Sequence, residues 1–171
     1  MNDMIMGVVD RAVQDAMEMR QKGMPQNKIL AGLVAAAENL AGGGAVSSIL
    51  LLDKDGLLRN GASPQLPHDY LNAIDGLKPH PSVGTCAAAA ATGSMVVTLD
   101  FMADDKWAEL RHLPTALGFT GAWSMPIKDA EGKVLGTFGT YFRTKREPSP
   151  AEITAIKLLA ETAARIVCRG Y

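Results

Sequence analysis

Apolar residues recur at helical spacing toward both ends of the chain and at strand spacing between them. Ile5, Val8, Ala12, Ala16 and Met19 lie three or four residues apart, which sets them on one face of a helix over residues 2–22. Gly23 ends that run, and Pro25 suits the first turn of a second helix over about 26–40. Ile29, Leu33, Ala36, Ala37 and Leu40 line one side of it, and Gly42-Gly43-Gly44 closes it. The pattern then shortens. Ala45–Asp53 is an apolar run between turn signals, Asp53-Lys54-Asp55-Gly56 has the composition of a tight turn, and residues 57–62 return, so Ser47–Ala62 predicts a β-hairpin.

Pro64, Pro67, Pro79 and Pro81 break the next stretch, leaving room for a short helix over 69–74. Ser82-Val83-Gly84-Thr85-Cys86 leads into five alanines, a helix without bulk that can lie close to whatever it covers, stopped by Gly93. Ser94–Leu99 is short and rich in β-branched residues, hence a strand. Asp104-Asp105 opens a helix expected to run through Trp107, Leu110 and Leu113, limited or bent by Pro114. Phe119–Ile127 and Lys133–Phe142 pair as a hairpin across a polar turn at 129–132. In the second strand Val134, Gly136, Phe138, Thr140 and Phe142 share one face, and Leu135, Thr137, Gly139 and Tyr141 the other. The last helix carries its own start signal: Ser149 as N-cap, Pro150 at the first position and Glu152 completing a capping box. Ile153, Ile156, Ala160, Ala163 and Val167 form its apolar stripe.

Consecutive hairpins imply an antiparallel sheet. Helices from the two ends of the chain cover one face and the Pro- and Ala-rich middle the other, giving a three-layer α+β domain over residues 1–171, with a leading helix over 1–24 and a core over 26–168.

Composition narrows the function. Over 171 residues, 47% hydrophobic and 20% charged content supports a packed interior rather than disorder, and a net charge of −1 gives no excess of cations for nucleic acid or an anionic membrane. The basic run Arg143-Thr144-Lys145-Arg146 reads as a solvated strand end. No apolar run is long enough for a membrane span, and Met-Asn-Asp-Met carries no basic leader, so a reducing cytoplasm is the simplest compartment. Cys86 and Cys168 form no disulfide framework, and His68, His80 and His112 make no metal-binding spacing. The chain shows no nucleophile–base pair and no metal set, so catalysis is not expected.

Gly84-Thr85-Cys86, Gly93, Val97, Asp100 and Asp104-Asp105-Lys106-Trp107 resemble the middle of GAF domains in bacterial signalling proteins. Ala116, Gly118, the run Gly121–Ile127, the run Gly132–Phe138 and the closing helix 148–167 continue the resemblance in order, over about residues 27–168. The resemblance implies a GAF/PAS-like α/β/α domain with a five- or six-stranded antiparallel sheet. It also implies a small-molecule pocket between the sheet and the middle segment, regulation of a separate protein such as a histidine kinase or transcription regulator, and homodimerisation through the terminal helices. The stripes at 5–19 and 153–167 either make that contact or pack on their own sheet. The sequence departs from several subtypes, whose signatures it lacks: the Cys-His pair of bilin binders, the Asn-Lys-Phe-Asp-Glu motif of cyclic-nucleotide binders and the three cysteines of free methionine sulfoxide reductases.

Within that frame Gly84, Thr85 and Cys86 start the alanine helix, where free amide groups suit a small anion; the plainer alternative is an ordinary helix start. Trp107 and Trp123 are candidate aromatic walls facing the middle segment, with core packing as the alternative, and Ser124, Thr137 and Tyr141 are candidate polar contacts. Cys86 is either a thiol activated by the helix start or a buried inert residue, and Cys168 reads as packing or surface. Asp104 or Asp105 reads as a helix cap. No cofactor is called for. A haem ligand among the three histidines is conceivable, but they read as surface residues.

Overall fold

The computed structural model describes residues 2–167, so the expectation for Cys168 lies outside the described residues. The helices are α1 (Asn2–Gln21), α2 (Gln26–Ala41), α3 (His68–Ile74), α4 (Cys86–Thr92), α5 (His112–Ala116) and α6 (Pro150–Val167). The strands are β1 (Val46–Leu52), β2 (Leu58–Ala62), β3 (Val96–Thr98), β4 (Gly121–Lys128) and β5 (Val134–Phe142), and a 3-10 turn spans Asp105–Trp107. They form one antiparallel five-stranded sheet in the order β2-β1-β5-β4-β3. Gly136 lets the central pair close, since a Cβ there would collide with the Leu50 carbonyl.

Register assigns each side chain to a layer. Ile49, Trp123, Met125, Ile127, Phe138 and Thr140 face α1, α2 and α6, whereas Leu50, Ala122, Ser124, Thr137 and Tyr141 face α3, α4 and the 3-10 turn. The helix face is a mostly aliphatic core in which Val9, Leu33, Ile49 and Leu159 are fully buried around the Phe138 ring. The irregularity between Ile127 and Lys128 swaps the two residues that open β5, so Val134 packs with the cover and Leu135 with the helices, the reverse of simple alternation.

Local signals hold. Ser149 Oγ accepts from the Glu152 amide at 3.2 Å while Glu152 Oε1 accepts from the Ser149 amide at 3.0 Å, closing the capping box. Gly93 ends α4 at φ 69°, a left-handed conformation that glycine adopts at little cost.

Two expectations change, and an open alternative takes one of its two forms. The helix opened by Asp104 does not continue to Leu113. Tight bonds from Leu110 to Trp107 and from Leu113 to Leu110 turn the chain, and α5 starts afresh with Pro114 in its first turn, where no amide hydrogen is needed. The stripe on α6 is spent on its own sheet and on α1: Ile156, Ala160 and Ala163 are buried, while Ile153 is 37% exposed. The basic run is not simply solvated. Arg146 lies over Trp123 and Phe142 at 5.2 and 4.8 Å from the ring centroids and bonds Glu152 at 2.6 Å. Burial pushes the Glu152 carboxyl up, but the Arg146 bond and the Ser149 amide outweigh it and hold the group below its usual range.

Candidate functional site

The site lies where α4 crosses the sheet. Ala87–Ala90 are buried, and their small side chains let the helix settle onto β4 and β5. This brings Cys86 over Gly139, where an added Cβ would lie 3.0 Å from the sulfur. Ser124 Oγ, on β4, donates to Cys86 Sγ at 3.5 Å. Thr137, on β5 beside it, is fully buried, and its Oγ1 makes no hydrogen bond, although its hydroxyl would donate to a Cys86 thiolate. Burial pushes the Cys86 thiol up despite those hydroxyls. The residue nonetheless keeps part of its surface accessible.

Outward from Cys86, Tyr70 Oη donates to Tyr141 Oη at 2.7 Å, and burial raises both phenols. Their rings meet edge to face at 5.7 Å, Phe119 lies 5.3 Å from Tyr141, and Phe101 lies 4.5 Å from Trp107. The hollow expected between sheet and cover is therefore occupied in its outer part by aromatic rings.

Gly84 and Thr85 belong to a latch. The Gly84 amide donates to the Lys106 carbonyl at 2.7 Å. Trp107 Nε1 donates to Thr85 Oγ1 at 2.8 Å, Thr85 donates on to Thr98 Oγ1 at 3.0 Å, and Thr98 donates to Asp104 Oδ2 at 2.9 Å. Asp104 also caps the 3-10 turn through the Lys106 amide and pairs with Lys106 Nζ. Burial raises the Asp104 carboxyl, but these donors hold it below its ordinary value. The groups proposed to cradle an anion thus tie α4, β3 and the turn together.

Of the expected site residues, Cys86, Ser124, Thr137 and Tyr141 converge, and Gly84, Thr85 and Trp107 form the latch beside them. Trp123 is a correction: it packs with Ala45, Phe142, Ala41 and Met95 on the opposite face of the sheet. β4 is buried on both sides over its first seven residues, so alternation could not say which side each aromatic takes. Tyr70 was missed. It is the sole aromatic residue between 63 and 92, which was the available signal. His68, His80 and His112 are exposed, with His80 Nδ1 accepting from the Ser82 amide at 3.0 Å.

A five-stranded antiparallel sheet between a helical layer and a short-helix cover is the architecture of a GAF-type domain. The fold is similar to the GAF domain of an Acinetobacter phosphoenolpyruvate-protein phosphotransferase, with a TM-score of 0.75 at 14% identity over 96% of this chain and 92% of that one. It is also similar to the free methionine-R-sulfoxide reductase of Neisseria meningitidis solved with its substrate, with a TM-score of 0.72 at 16% identity over 96% and 89% of the two chains. The chain belongs to the GAF domain family, whose model matches residues 24–167. It is 32% identical over 148 residues to the methyl sulfide methyltransferase-associated sensor of Methanosarcina acetivorans; that match covers 86% of this chain and 15% of the relative's length. No described helix is long and apolar enough to cross a membrane.

Proposed function

We propose that this GAF domain admits a small polar metabolite between the sheet and its cover, beside Cys86, and reports occupancy to a separate signalling protein such as a histidine kinase or transcription regulator. It does so as a homodimer and without catalysis. The observation that carries the reading is Thr137 Oγ1, fully buried and unpaired next to Cys86 and Ser124. An unpaired buried hydroxyl costs about 1–3 kcal/mol, and a guest with one matching polar atom removes that cost. The thiol and hydroxyls around it are neutral, and the Gly84 amide and Thr85 hydroxyl are already bonded. The site therefore suits an uncharged or weakly charged guest better than a strong anion. Tyr70 is the movable wall: it sits on a seven-residue helix without a side-chain cap, and its hydroxyl holds to the sheet through the Tyr141 bond. Occupancy has a short path outward, because Thr137 is followed on β5 by Phe138, which packs in the core formed with α1, α2 and α6.

A ligand-free interaction module is the second reading, favoured by the rings that fill the outer layer. A thermal-shift panel of small uncharged polar compounds (alcohols, amides, sulfoxides and sulfides), with nitrate, nitrite, small carboxylates and nucleotides beside them, separates the two. A bound compound stabilises as RT ln(1 + [L]/Kd), about 2.7 kcal/mol at 100 Kd. A shift that disappears in Thr137→Val supports the sensor. No shift with any compound favours the module.

A further inference from the structure

We infer that the cavity enclosed by α1, α2 and the start of α6 is a second binding site, which takes an uncharged molecule with an apolar body and an oxygen that accepts from Arg146. The site is separate from the one beside Cys86 and lies on the other face of the sheet. The cavity holds about 420 Å³. Met4, Ile5, Val8 and Leu40 give it apolar walls, and Asn39, Ser149, Glu152 and Arg146 add polar ones. Met4 is 76% exposed and pliable, so the mouth can adapt to a guest. Small-molecule sites have this make-up, apolar walls with a few polar groups that fix orientation.

Two unused donors say what the guest carries. Among the described residues three buried side-chain polar atoms have no hydrogen-bond partner. One is Thr137 Oγ1, under the cover. The other two, Arg146 Nη1 and Trp123 Nε1, belong to side chains in contact, with Arg146 Cζ 5.2 Å from the Trp123 ring centroid. Both are N–H groups, so what this place lacks is an acceptor. Arg146 Nη2 is already spent on both carboxylate oxygens of Glu152, at 2.6 and 2.7 Å, which leaves Nη1 as the unused branch of the fork. A buried donor on a charged group is the costlier kind to leave unpaired, and a guest oxygen removes that cost. The same ion pair sets the charge of the guest. Glu152 matches the Arg146 cation and itself lines the cavity, so a carboxylate guest would meet a carboxylate and an ammonium guest a guanidinium. A carbonyl-type oxygen on an aliphatic chain satisfies the donor without adding a charge.

Proton–nitrogen correlation NMR with hexanamide as the probe tests the assignment, because the two tryptophans report on opposite faces. Trp107 Nε1 is bonded to Thr85, whereas the Trp123 indole has no partner and lies under Arg146. The expected result is a saturable movement of the Trp123 indole signal that leaves the Trp107 signal in place. Hexanoate, hexylamine and acetamide should each bind about tenfold or more weakly. Val8→Phe fills the cavity, and Arg146→Lys keeps the charge but removes the second branch of the fork. Each should weaken hexanamide about tenfold, with far-UV circular dichroism confirming that both variants fold. Thr137→Val, under the cover, should leave hexanamide binding unchanged, so this site and the one beside Cys86 stand or fall separately. A Trp123 signal that hexanamide does not move overturns the site. Hexanoate binding as tightly as hexanamide overturns the uncharged guest. A movement that survives both Val8→Phe and Arg146→Lys puts the probe elsewhere and overturns the cavity as its place.

Discussion

On β5, Thr137 and Thr140 lie three residues apart and face opposite layers, and the chain treats them differently. Thr140, under the helices, shares a hydrogen bond of 2.8 Å with Ser47 Oγ from the neighbouring strand. Thr137, under the cover, has no partner. The same contrast runs through both layers. Beneath α1, α2 and α6 the side chains are mostly aliphatic, joined by Phe138 and Trp123; the one hydroxyl pair is satisfied, and Trp123 Nε1 has no partner. Beneath α3 and α4 lie a thiol, a lone hydroxyl and two coupled phenols. Each layer therefore holds a buried polar group without a partner, and only the cover sets its own beside a thiol and further hydroxyls.

Substitutions can break or sharpen that contrast. The largest effect belongs to the helix face: Phe138→Ala removes a fully buried ring and should cost about 3–5 kcal/mol in urea unfolding. Next is Thr140→Val, which leaves Ser47 Oγ buried without a partner and should cost about 1–3 kcal/mol by the same measurement. Thr137→Val, of the same chemistry on the other face, should be neutral or stabilising by up to about 1 kcal/mol, because the hydroxyl it removes has no bond to lose. If both valine variants lose stability equally, the two faces are not different in kind. The smallest effect is Glu152→Gln. The Glu152 carboxyl titrates below its ordinary 4.5, so its contribution is present above that pH and fades as the pH falls through the lowered value. Glu152→Gln should remove that acid-side loss, shifting midpoints above pH 5 by the equivalent of about 1 kcal/mol or less.

Much of this was legible from sequence where the physics is local. Ser149 and Glu152 are three residues apart, and a capping box needs nothing else. Gly93 after a run of alanines can only be a stop, and the hairpin turns carry their own residues. The site was legible in part. Cys86, Ser124, Thr137 and Tyr141 could be gathered because α4 and the two strands were placed correctly. What failed depends on distant contacts. Trp123 could not be assigned a face in a strand buried on both sides. The fate of the Thr85 hydroxyl is set by Trp107 and Thr98, 22 and 13 residues away. The break after Trp107 follows from that anchoring rather than from the apolar spacing of Leu110 and Leu113.

Native mass spectrometry of the protein as purified, beside Gly139→Val, tests most directly whether the cover layer takes a guest. Added carbons at position 139 intrude on Cys86 Sγ, starting from a Cβ at 3.0 Å. The account predicts a co-purified small molecule, or one taken up from the panel, on the wild-type chain and its loss from the variant. The same compound bound equally by both, or a bare polypeptide mass that no compound in the panel changes, would contradict it.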